Sequence, residues 1–224
     1  MTATIKDFKS NVNGRFGTIL ADPPWRFSNR TGKMAPEHKR LMRYPTMELK
    51  DIISLPIPEI AAEQSHLYLW IPNALIAEGL EVMKKWGFTY KTNLVWYKIR
   101  KDGGPDGRGV GFYFRNVTEL VLFGIRGKLR TFKPGRTQVN IMLSRKERHS
   151  KKPAELYRII EECSPGPYLE LFARQKKPGW TQWGNEIGTS PIFLDNKIAN
   201  SKNERGDIIP GKKSTRRELI HPSI

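Results

Sequence analysis

Four short, almost wholly apolar runs constrain this chain most: GTILA at 17–21, HLYLWI at 66–71, TELVLFGI at 118–125 and YLELFA at 168–173. A strand with one wet face alternates polar and apolar side chains, so runs without a polar face belong to strands covered on both sides. Helix signals fall between them. Thr46 caps a helix over 47–55 before Pro56 and Pro58 break it, and Pro72-Asn73 opens one that reaches about Trp86 and closes at Gly87. Pro153 opens a third, with an apolar face of Ala154, Leu156, Ile159, Ile160 and Cys163, which Ser164-Pro165-Gly166-Pro167 stops. Residues 88–99 and 138–143 have strand composition, and YLELFA is expected to be the final core strand. The alternation specifies an α/β fold, a mostly parallel sheet with helices on both faces. At 224 residues one fold is expected: a domain over 1–187 with basic insert loops at 26–45 and 99–150. Residues 188–224, poor in large apolar groups, read as an extended or partly disordered appendage.

The net charge of +17 is not spread evenly. Six basic and one acidic residue between 26 and 43, and sixteen basic against four acidic between 91 and 152, account for all of it. Clustered positive charge favours a polyanionic partner. A membrane surface would call for a basic amphipathic helix, whereas these residues lie mainly in Gly-rich or strand-flanking segments, so nucleic acid is favoured over membrane. The single cysteine, Cys163, excludes an internal disulfide, and four scattered histidines assemble no zinc spacing, so no metal is expected. The first ten residues hold Lys6, Asp7 and Lys9 and no apolar run, and no apolar stretch is long enough to span a bilayer. A cytoplasmic location is expected.

Open α/β sheets bind ligands at the carboxyl ends of their strands, where Asp22, Asn73 and Arg174 fall after the first, second and last of the runs above. There is no GxxxxGK[ST] or GxGxxG, and Gly103-Gly104 with Gly107 lacks the strand-then-helix context of a nucleotide loop. The tetrapeptide Asp22-Pro23-Pro24-Trp25 can hold a carboxylate and backbone carbonyls at a fixed point, the prolines contributing no N–H donors. Acceptors so placed suit an exocyclic amino group, with Trp25 stacking on the ring that carries it. A base buried in a duplex would first have to be extruded. The alternative for the same four residues is a turn, a core indole and a helix cap. Asn73 reads equally as an N-cap or a ligand.

The runs ADPPW at 21–25, YPTM at 44–47, LYLW at 67–70, RNVTELVLFGIRG at 115–127, KKPAELY at 151–157, PGPYLELFAR at 165–174 and W-x-x-W-G-N-E at 180–186 together resemble the MT-A70 family of N6-adenine methyltransferases, in its compact bacterial and phage branch. The resemblance implies a Rossmann-like fold binding S-adenosylmethionine, with S-adenosylhomocysteine as product and permuted motif order, the DPPW strand preceding the cofactor strand. It makes Asp22, Pro23, Pro24 and Trp25 the catalytic loop and Tyr44 a gate. Lys152 falls near the cofactor carboxylate and Asp22, with His149 or Lys152 shaping charge there. Arg174, Asn185 and Glu186 fall where the family binds the ribose and its surroundings. The family's acidic-aliphatic pair contacting the cofactor adenine is Thr4-Ile5 here, so Ile5 takes that place. Asn116 and Glu119 lie at the substrate entrance, although Glu119 could instead pair with an arginine. Arg108, Arg130 and Arg136 are expected to track phosphates around a flipped adenine. DNA is the expected substrate, with RNA and a catalytically silent binding subunit as alternatives, and a homodimer the expected assembly.

Overall fold

A computed structural model describes residue 8, residues 12–26, 46–107, 113–145 and 152–184, and residue 187. All belong to the first of two units of the chain, Met1–Phe193.

Seven strands form one sheet: β1 (Phe16–Ala21), β2 (Ala61–Ile71), β3 (Thr89–Ile99), β4 (Thr118–Arg126), β5 (Ile141–Arg145), β6 (Tyr168–Leu171) and β7 (Trp180–Trp183), in the spatial order β5-β3-β4-β2-β1-β6-β7. Neighbours are parallel except β4, which runs antiparallel to both β2 and β3. This is the mostly parallel, Rossmann-like sheet expected. All six residues of β1 are buried, as a strand without a polar face requires.

Helices cover both faces. Against one lie α1 (Leu49–Ile53), α2 (Ile57–Ile60) and α3 (Ile76–Lys85), with Ile52, Ile57, Val82 and Trp86 packed on Phe16, Ile19, Leu67 and Leu69. Against the other lies α4 (Glu155–Cys163), whose Leu156, Ile159, Ile160 and Cys163 pack on Leu20, Tyr68, Val121 and Phe123. That face of α4 is the one its apolar spacing gives.

Several boundaries differ from the sequence expectation. The helix expected over 47–55 starts at Leu49, with Glu48 rather than Thr46 at its N-cap. Pro58 does not break helix: it stands in the first turn of α2, where its missing N–H is an orphan position in any case. Asn73 is no N-cap, because a 3-10 turn, Asn73–Leu75, precedes α3 and Pro72 holds the cap. β2 begins at Ala61, ahead of the apolar run, and β5 begins at Ile141. β6 stops at Leu171, because Phe172 adopts a φ of 63°. Nor is it the last strand. The edge strand β7 was not expected, since four residues WTQW with a polar middle carry almost no periodic signal.

Candidate active site

Side chains alternate across a strand, so parity decides which residues share a face. Leu20, Trp70, Trp96 and Val121 belong to the α4 face. Two residues beyond Leu20, Trp96 and before Val121, the same face carries Asp22, Lys98 and Glu119. Because β4 is antiparallel, its start meets the carboxyl ends of β1, β2 and β3. Register pairs Trp96 with Glu119 and Ala21 with Leu69, leaving Asp22 beside Trp70. Lys152 enters this face from the chain just before α4, held by Pro153.

The Asp-Pro-Pro-Trp loop is tied at each step. Asp22 N–H reaches the Leu171 carbonyl on β6 at 3.5 Å, Trp25 N–H the Pro23 carbonyl at 2.8 Å, and Met47 N–H the Pro24 carbonyl at 2.9 Å. The proline carbonyls are therefore not free of donors, contrary to expectation, and Pro23 keeps one lone pair for a ligand. Trp25 is only 7% exposed, and its indole N–H donates to the Trp70 carbonyl at 2.9 Å. The stacking role expected for Trp25 is corrected: the indole locks the loop onto the end of β2.

Four alternating charges run along the site. Lys152 Nζ lies 3.5 Å from Asp22 Oδ2 and 2.7 Å from Glu119 Oε2, and Lys98 Nζ lies 2.6 Å from Glu119 Oε1. The Lys152 ammonium also sits 4.3 Å from the centre of the Trp70 ring, in cation–π contact. Burial pushes the Asp22 carboxyl up, and Lys152 and Arg174 only partly offset it. Burial acts the same way on Glu119, but Lys152 and Lys98 outweigh it and hold that carboxyl below the ordinary range. Desolvation would lower Lys152, yet Asp22 and Glu119 hold it above the usual lysine value. The site thus keeps a charged lysine between an ionised glutamate and an aspartate whose charge burial disfavours.

The residues expected from sequence separate into three groups. Asp22, Glu119 and Lys152 are brought together, and Arg174, after β6, acts on Asp22 through its charge. Among the described residues Glu119 pairs with two lysines and not with an arginine. Asn116 is exposed nearby and accepts from the Asn73 amide at 3.4 Å, while that amide also donates to Thr118 Oγ1 at 3.1 Å. Arg130 and Arg136 are not brought in. They follow β4, which is nine residues long, so that its two ends stand about 27 Å apart. The expectation that they wall the pocket is corrected, because β4 carries them to the other end of the sheet. Arg130 lines instead a cavity of about 400 Å³ together with Lys91, Phe123 and Cys163. Ile5, Tyr44, Arg108, His149, Asn185 and Glu186 lie outside the described residues.

Sequence reasoning missed Lys98, whose signal was a lysine continuing the buried face of Leu94 and Trp96. Trp70, in a run expected to be covered on both sides, also reaches the site through Lys152. Sequence reasoning also missed Gln182 and Tyr157, which clamp the Glu170 carboxylate at 2.6 and 2.8 Å, and which no spacing pairs.

The MT-A70 family profile matches residues 16–186. The type II methyltransferase M.MunI of Mycoplasma sp is 30% identical over 199 residues, 80% of this chain and 81% of that protein. A putative N(6)-adenosine-methyltransferase MT-A70-like protein of Medicago truncatula is 28% identical over 82% of this chain but 28% of its own length. The human N(6)-adenosine-methyltransferase catalytic subunit METTL3 is 26% identical over 90% of this chain and 33% of its own.

Proposed function

The chain belongs to the MT-A70 family, and on that premise we propose that it transfers a methyl group to the exocyclic N6 amino group of adenine in DNA. The observation that carries the reading is Asp22, a half-buried carboxylate at the carboxyl end of β1, 3.5 Å from a lysine that is itself fixed by Glu119.

MT-A70 methyltransferases use S-adenosylmethionine, and the donor set here fits it. The amino-acid end of that cofactor carries an ammonium and a carboxylate, and Asp22 and Lys152 present the opposite charges side by side, with Arg174 following β6. When bound, the cofactor supplies an electrophilic methyl group on a sulfonium sulfur. Asn185 and Glu186 on the ribose, Ile5 on the adenine and Tyr44 as a gate complete the reading; all lie outside the described residues.

An aromatic amine is a weak nucleophile because its lone pair is delocalised into the ring. Asp22 accepts one amino hydrogen, which concentrates electron density on N6, and it is the base placed to take the proton that N6 sheds. The remaining lone pair of the Pro23 carbonyl can take the second hydrogen. Lys152 favours the ionised form of Asp22, and Lys98 and Glu119 hold Lys152 in place. Positioning and fixed charge supply most of the rate on this reading.

DNA is favoured because the chain aligns across four-fifths of the type II methyltransferase but at most a third of the two N(6)-adenosine-methyltransferases. Their naming for a ribonucleoside supports RNA as the second reading. The enzyme is read as a cytoplasmic protein of a bacterium or phage, with a second copy helping to hold the substrate. No helix among the described residues is long and apolar enough to cross a membrane.

The test is to supply methyl-labelled cofactor with matched DNA duplex, single-stranded DNA and RNA and to locate the label. Label on adenine N6 of DNA is expected, and Asp22→Ala should lower transfer by at least about a hundredfold while the fold, read by thermal melting, stays intact. Full activity in that variant, or label on cytosine, would overturn the assignment.

A further inference from the structure

Two aromatic side chains stand in open water at the same end of the sheet as Asp22. Tyr113 is 95% exposed and Phe114 85%, against 64% for Val139, the next most exposed large apolar residue among those described. Isolated surface apolar groups are ordinary; two consecutive rings with their faces open are not.

The chain around them is tied down. Arg100 makes two bonds to the Asp102 carboxylate, at 3.1 and 2.8 Å, and Asp102 Oδ1 also takes the Gly104 N–H at 3.0 Å. Asp106 N–H reaches the Lys98 carbonyl at 2.8 Å and Lys98 N–H the Val117 carbonyl at 2.9 Å. Arg115, next to Phe114, donates to the Gly107 carbonyl at 3.2 Å. These bonds stitch the exit of β3 to the entry of β4, so the rings project from a braced base. Phe114 is five residues before Glu119, at most about 18 Å of extended chain.

We propose that Tyr113 and Phe114 form a stacking platform for two unpaired bases next to the target adenine, so that the enzyme takes its substrate as a single strand. The proposal rests on the nucleic-acid reading of the active site. Every base has a π-face, so ring-on-base stacking tolerates any sequence and adds affinity where no base edge is read. Lys101 and Arg115, both exposed on this braced base, supply attraction for the phosphates between those bases. An intact duplex offers no free base faces. Where one base is extruded, the gap admits one ring, whereas here two successive rings are presented.

The full-length protein is titrated with a fluorescent single-stranded DNA containing one adenine, and with the matching duplex, at several salt concentrations. Tyr113→Ala and Phe114→Ala should each weaken single-strand binding about five- to hundredfold. The slope of log K against log salt should stay constant, because no phosphate contact is lost. Tyr113→Trp should retain affinity, and 2-aminopurine beside the adenine should be quenched by the parent protein and not by the double alanine variant. Unchanged single-strand affinity in the variants would overturn the proposal. So would a loss confined to duplex, which marks an intercalating wedge, or an altered sedimentation coefficient, which marks the rings as a contact with a second copy. The two readings fail separately. Ring-dependent binding without methyl transfer to any adenine defeats the assigned activity alone, and methyl transfer with no ring-dependent binding defeats the platform alone.

Discussion

Burial lifts the Asp22 carboxyl above the ordinary 3.8, whereas two lysines overcome burial at Glu119 and hold it below 4.5. The two therefore respond to acid in opposite senses. A raised carboxylate favours its protonated form in the fold, so its contribution to stability is present at low pH and lost as pH rises through the folded value. A depressed one contributes above its unfolded value, and that contribution is lost as pH falls through the folded value. On acidification Asp22 takes up its proton above its ordinary value and loses its capacity to accept from the amino group. Glu119 keeps its charge to below 4.5, and its protonation releases Lys98 and Lys152. We expect the acid limb of kcat/KM to lie above 3.8 and to precede any fall in Tm. Methyl-transfer rates and thermal melts across the same pH series check this, and an acid limb coincident with unfolding would contradict it.

At the scale of elements, the junction of β6 and β7 sets where Arg174 stands. Phe172 departs from the strand with a φ of 63°, and its ring packs edge-on against Trp183 at 5.4 Å. Backbone strain of this kind persists only where the surroundings over-determine it. Gly184 is part of that constraint, because a Cβ there would meet the Ala173 carbonyl oxygen and come within 2.7 Å of the Ala173 nitrogen. Gly184→Ala should therefore push β7 from β6 and destabilise the protein by about 1–3 kcal/mol, read by urea denaturation, with cofactor binding weakened beyond what the loss of folded protein explains. A neutral result would show that β7 is free to shift. How legible such elements were depended on signal length. β1, β4 and α4 were readable because a doubly covered strand or an amphipathic helix repeats its signal over many residues. β7 was not, because four residues at a sheet edge repeat nothing.

For the whole molecule, part of the positive charge lies at the end of the sheet away from the chemistry. Lys98, Glu119 and Lys152 gather at one end of β4, while Arg130 and Arg136 follow its other end, about 27 Å away, or roughly eight base pairs of duplex rise. The charge beyond β4 can reach only a long substrate. Neutralising Arg130 and Arg136 together should weaken binding of a single strand of twenty or so nucleotides and shrink its salt slope. A five-nucleotide strand and the cofactor should bind as before. Fluorescence anisotropy over a length series checks this, and a loss independent of length would place those arginines on the path to the active site.

The sequence by itself determined the α/β class, the family and that Asp22, Glu119 and Lys152 are candidates for one site, because hydrophobic runs and short motifs are local and survive being read one dimension at a time. It did not determine which way β4 runs. Only the tertiary structure decided that, and with it that Glu119 closes on Lys98 and Lys152 while Arg130 and Arg136 face elsewhere. It also decided that Trp25 anchors the loop, leaving Tyr113 and Phe114 as the open rings. Strand direction and register arise from contacts between segments far apart in the chain, and no pattern within one segment records them.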